Sequence, residues 1–144
     1  MNITDVNRIF RKSIIHEFFI PELTKLDFKK SNVKHPEINT DGLMQSNLLH
    51  IFFDVETGND YPDGDEWFIA EFLFPYQMNL PDNLKGTDYF TTISVEEGKS
   101  FWHHRELVRY KYGKSKKLDE SLDFIESKYK ELHKLVEPLE KEIK

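Results

Sequence analysis

Cysteine is absent from the 144 residues, which removes disulfides, thiolate metal sites and cysteine nucleophiles together. Also missing is any apolar run near the ~20 residues needed to cross a bilayer. The longest such run near the start, Ile14-Ile15, is cut short by His16 and Glu17. Residues 1–5 lack the basic and apolar regions of a signal peptide, so no membrane partner and a cytoplasmic location are expected. The chain has no GxSxG elbow, no Walker loop and no GxGxxG. Its six histidines include no HExxH and no pair at metal-ligand spacing. No catalytic residue, cofactor or metal ligand set is therefore assigned, and no internal repeat is found.

What is present is an aromatic-rich, highly charged chain. Aromatics make up 14% of it, with 12 Phe, and so many rings need a core to hide them, which argues against disorder. The length suits a single domain, residues 1–144. The net charge of −6 is unevenly spread. Residues 1–34 carry +3, residues 35–104 carry −11 and residues 105–144 carry +2. A concentrated negative field repels phosphate backbones and favours cationic partners or metal ions. No nucleic-acid partner is expected, although Tyr110, Lys111, Tyr112, Lys114, Lys116 and Lys117 form a basic, aromatic stretch; acidic Asp119-Glu120 follows it.

Val6, Ile9, Phe10, Ile14 and Phe18 recur at helical spacing, with Thr4 or Asp5 as cap. Pro21 predicts a stop or kink near Ile20 and a short second helix through Leu26. Asp27 would end that helix in the left-handed conformation that Asp tolerates better than most. Strands are predicted over residues 28–34, 43–55, 66–74 and 89–95, with a last strand or helical turn over 107–112. The segment 66–74 is apolar on both faces, which places it centrally. Leu118, Leu122, Ile125, Tyr129, Leu132, Val136, Leu139 and Ile143 form an apolar stripe that predicts a helix over 119–137, interrupted at Pro138. It could dock on the sheet or form an intermolecular coiled coil. The fold class expected is α+β: an antiparallel sheet of four to five strands flanked by an N-terminal helix and a long C-terminal helix.

The most unusual feature is the acidic stretch between the two best-defined strands. Asp54, Glu56, Asp60, Asp63, Asp65 and Glu66 fall within thirteen residues, with Tyr61 and Trp67 beside them. An ordinary solvated hairpin loop would carry such charges. They also suit a basic protein partner, since Tyr and Trp are typical anchors at interfaces, or a hard cation held by carboxylates. The spacing does not match an EF-hand. His50 and Glu71 would meet in some hairpin registers, and a carboxylate beside an imidazole can serve acid–base work. His103 and His104 should point to opposite faces of a strand.

The stretch Pro21-Glu22-Leu23-Thr24-Lys25-Leu26-Asp27-Phe28-Lys29-Lys30, Trp102 and the order helix, sheet, helix resemble small uncharacterised bacterial α+β domains. Some of those resemble the immunity proteins of polymorphic toxin systems. The resemblance implies a non-enzymatic inhibitor of a toxin, and carries over no functional residue. The expectation is thus a binding protein that presents Asp54, Glu56, Asp60, Tyr61, Asp63, Asp65, Glu66 and Trp67 to a basic protein. A metal-dependent enzyme using the acidic loop, and a scaffold dimerising through the C-terminal helix, are the alternatives.

Overall fold

A computed structural model describes residues 9, 11–55, 66–94, 99–110 and 115–143. The chain is helical from residue 11, widens into a π-helical turn over Ile15–Phe19, and continues as α1 (Ile20–Lys25). Pro21 does fall in the first turn of a short α-helix, as expected, but the helical chain runs on through it without a stop. Proline has no N–H to give the carbonyl four residues back. The wider turn instead bonds the Ile20 amide to the Ile15 carbonyl, the i to i+5 pattern of a π-bulge. Asp27 closes the helix at φ 70°, in the left-handed region.

Six strands follow: β1 (Lys29–Lys30), β2 (Leu43–Ser46), β3 (Leu49–Asp54), β4 (Glu66–Phe74), β5 (Thr91–Ser94) and β6 (Ser100–Tyr110). They form one sheet in the order β1-β2-β3-β4-β6-β5, every neighbouring pair antiparallel. The fold is α+β as expected, with one strand more than the upper count. Residues 43–55 are not one strand: Asn47 and Leu48 turn the chain back, because Ser46-Asn47 is turn chemistry. Ser46 Oγ accepts the Leu48 amide to close that turn. The central position of β4, between β3 and β6, follows from its two apolar faces. β6 begins earlier than residue 107, running straight through His103-His104-Arg105-Glu106.

The C-terminal helix α2 (Ser115–Val136) ends in a 3-10 segment, Glu137–Glu142, with Pro138 in its first turn. Its stripe docks on the sheet: Leu122, Ile125, Tyr129, Leu132 and Val136 share a core with Phe19, Leu23, Leu49, Ile51, Phe68, Phe72, Phe74 and Val108. The opposite face of the sheet holds a smaller cluster of Phe52, Leu73 and Ile93. Among the described residues it is covered not by a helix but by Val33 and Ile38, from the segment between β1 and β2, with Phe101 beside them. Among the described residues no helix is long and apolar enough to cross a membrane.

Gly42 sits where that covering segment rejoins the sheet, and the backbone there is closely approached. A Cβ at this position would lie 2.7 Å from the Ile51 carbonyl oxygen and 2.7 Å from the Phe52 ring. The carbonyl belongs to β3 and cannot swing away. We expect Gly42→Ala to destabilise the fold by about 1–3 kcal/mol, the range for overpacking, measured by urea denaturation.

Candidate binding cleft and the charge cluster behind it

Strand β3 ends and β4 begins at the same end of the sheet, and residues 56–65 join them. Of the side chains expected to meet a partner, Glu56, Asp60, Tyr61, Asp63 and Asp65 lie outside the described residues. Asp54, Glu66 and Trp67 lie within them. Glu66 and Trp67 are engaged by Arg11, which is only 1% exposed. Its Nε donates to Glu66 Oε2 at 3.0 Å, and its guanidinium lies 4.7 Å from the centre of a Trp67 ring. The clamp fastens the N-terminal helix to the start of β4. A buried arginine needs both charge and hydrogen bonds answered, and nothing in the local sequence around Arg11 signals this one.

Asp54 faces a cleft of about 380 Å³ between the N-terminal helix and residues 37–41. Three carboxylates border it, Glu37, Asp41 and Asp54, above an apolar lining that includes Ile15, Ile38 and Phe53. Lys12 and His16 stand on the helix side. Asp41 pairs with Lys30 at 3.3 Å, both side chains largely in solvent, where such a pair contributes little.

Among the described residues, several carboxylates of the acidic middle are matched by cations. Cations from outside residues 35–104 fold back onto it: Arg11 meets Glu66, Lys30 meets Asp41, and Arg105 meets both Asp54 and Glu71. Asp82 pairs with Lys85 on the loop beyond Phe74, at the opposite end of β4 from Asp54. Sequence blocks are not surfaces, and the sheet brings distant basic residues beside the acidic ones.

Behind the cleft lies the densest charge cluster among the described residues. Glu71, on the central strand, stands opposite Phe52 on β3 and Arg105 on β6. Its carboxylate is 5% exposed. Oε1 accepts hydrogen bonds from His35 Nε2 at 2.8 Å and from His103 Nδ1. Arg105 Nε lies 3.7 Å from Oε2, and Arg105 Nη2 lies 3.7 Å from Asp54 in the cleft. Burial pushes the Glu71 carboxyl up, but the hydrogen bonds from His103 and His35, with the attraction of either ring in its charged form, outweigh it and hold the group at about 2.

His35 is fixed at both nitrogens. Nδ1 accepts the backbone N–H of Glu37 at 3.0 Å and of Ile38 at 2.9 Å. An imidazole nitrogen that accepts carries no proton, so the ring is neutral and its hydrogen sits on Nε2, directed at Glu71. Its edge packs on the Phe52 ring, centroids 5.1 Å apart. The His50–Glu71 pair considered from sequence does not form. The register puts His50 opposite Leu73, and its ring takes Ser31 Oγ at 2.7 Å and the Asn47 carbonyl at 3.1 Å. His103 and His104 do point to opposite faces. His104 turns toward Phe72, the Tyr89 carbonyl and Glu106.

A carboxylate that orients an imidazole is the geometry of acid–base pairs, and His103 has it. Neither Glu71 nor His103 borders the cleft; the cluster stands behind it. Among the described residues no group of three or more His, Asp or Glu side chains is placed to hold a metal ion. His35 has no lone pair left for one. Compared with protein-family models, with curated proteins and with solved structures, the chain shows no match.

Proposed function

We propose that this chain is a non-enzymatic binding protein whose cleft receives basic side chains of a protein partner. The observation that carries the reading is the cleft itself, with carboxylates of Glu37, Asp41 and Asp54 above an apolar floor. Lysine and arginine have that chemistry in complement: an aliphatic stem that covers apolar surface and a cationic head that stays with carboxylates and water. Glu56, Asp60, Tyr61, Asp63 and Asp65 follow Asp54 closely in the chain and would extend the contact. Negative charge there steers a basic partner and speeds its approach. The concrete form is an immunity-type inhibitor of a basic toxin.

The test is a titration of the full chain with an arginine-rich peptide, followed by amide NMR, beside the same peptide with glutamine for arginine. Shift changes should centre on residues 37–41 and 54 and weaken as salt is raised. The triple variant Glu37→Gln, Asp41→Asn, Asp54→Asn should bind at least about fivefold more weakly, a small share of what close charge pairs contribute at interfaces. Binding indifferent to salt and to the triple variant would remove the reading.

A further inference from the structure

Residues 31–42 form a strap across the second face of the sheet. Its ends are tied together by the Ser31 amide, which donates to the Gly42 carbonyl at 2.8 Å. Val33 and Ile38 cover Phe52, Leu73 and Ile93, and residues 37–41 form one wall of the cleft. We infer that His35 is an acid-sensitive hook for that wall: a proton added at Nδ1 expels the amides of Glu37 and Ile38 and unwinds residues 36–41, while the ring itself stays on Glu71.

The argument is one of donors and acceptors. At neutral pH the Nδ1 lone pair gathers both amides, and the tight turn of the wall depends on it. His35 can take a proton nowhere else, because Nε2 already bears the hydrogen given to Glu71. Protonation turns the acceptor into a donor facing two donors, so both hydrogen bonds are lost together. The Nε2–H to Glu71 contact is meanwhile strengthened, being then a full ion pair. The groups facing the ring are Glu71 from β4, His103 and Arg105 from β6 across the shared carboxylate, and the Phe52 edge from β3. From the strap itself come Lys34 and Glu37.

The other end of the strap is built to stay shut. His50 is fully buried; its Nε2–H donates to Asn47 and its Nδ1 accepts the Ser31 hydroxyl, whose oxygen takes the Val33 amide at 3.1 Å. Burial pushes the His50 pKa down, the Asn47 bond opposing it less strongly, so this hook resists the proton longer. Acid thus loosens one half of the strap and spares the other.

The test is amide hydrogen exchange of the full chain by NMR at pH 7.5 and 5.0, expressed as protection factors so that the chemistry of exchange cancels. Protection of Glu37 and Ile38 should fall by on the order of tenfold per pH unit once the ring takes its proton. Val33 and residues 68–73 should hold theirs. His35→Gln, which keeps an acceptor and a donor but does not titrate, should flatten the response. In the wild type, ring nitrogen shifts of His35 should show hydrogen on Nε2 alone at pH 7.5 and on both nitrogens at pH 5.0. Three results would overturn the inference: a ring still neutral at pH 5.0, a protonated ring with Glu37 and Ile38 as protected as before, or parallel loss across residues 68–73. Weaker peptide binding at pH 5.0 is a consequence that rests on the binding reading. The exchange experiment, run without peptide, stands apart from it.

Discussion

Glu71→Ala should destabilise the fold by about 3–5 kcal/mol, the range for removing one partner of a buried charge pair. The loss is large because the carboxylate answers three groups together, His35, His103 and Arg105, and it connects the strap to two strands. Glu71→Gln keeps the shape but offers one carbonyl oxygen where two N–H groups converge, and it should recover part of the loss. The wild type adds a pH signature. The folded-state value of about 2 lies below the ordinary glutamate value of 4.5, so this stability is complete above pH 4.5. It is lost as pH falls from 4.5 towards 2, a difference on the order of 3 kcal/mol. Urea denaturation at pH 6, 4 and 3 should show the wild type converging on Glu71→Gln; two curves that stay parallel would refute the assignment.

Tyr129→Phe should destabilise by about 2–4 kcal/mol, although it removes one oxygen atom. The Tyr129 hydroxyl accepts the amides of Gln45 and Ser46, each at 3.0 Å, and donates to the Leu49 carbonyl at 2.7 Å. Those amides sit where β2 shifts register between Met44 and Ser46, so the strand ladder does not serve them. Phenylalanine would strand both donors under α2, each at about 1–3 kcal/mol. Burial raises the Tyr129 pKa above 10, the two amides opposing it. Its contribution is therefore whole below pH 10 and is lost as pH climbs through the raised value. The variant should lack that alkaline loss. Denaturation of both proteins between pH 8 and 11 checks the magnitude and the sign.

The elements visible in the sequence are those whose apolar pattern is unbroken. β4 alternates through nine residues with both faces apolar, and α2 repeats its stripe at threes and fours; each was placed within a few residues. β2 and β3 were fused because the apolar alternation runs through Ser46-Asn47 and outweighs two turn residues. The first half of β6 was missed because His103-His104-Arg105-Glu106 looks like a solvent-exposed run. It is instead a strand whose polar groups are answered by Glu71, Tyr89, Asp54 and Lys128. Such answers depend on register, which no local pattern carries. Nothing local marks His35, which falls just past the strand expected over 28–34, since its role needs Glu71, thirty-six residues away. The cleft was half legible: Asp54 stood out as part of an acidic run, whereas Glu37 and Asp41 reach it only through the path of the strap.

The reach of Tyr129 back to β2 has a consequence for biosynthesis. Its hydroxyl closes contacts spanning 80 to 84 positions, and β4 meets β6 only after some thirty further residues have been made. While the ribosome still holds the last helix, the register shift near Gln45 has no cap and the long sheet has no roof. Non-local pairings of this kind form late. The native form should thus wait until residues 115–136 have left the ribosome, and chains ending before position 129 would offer Phe-rich strands to chaperones and proteases.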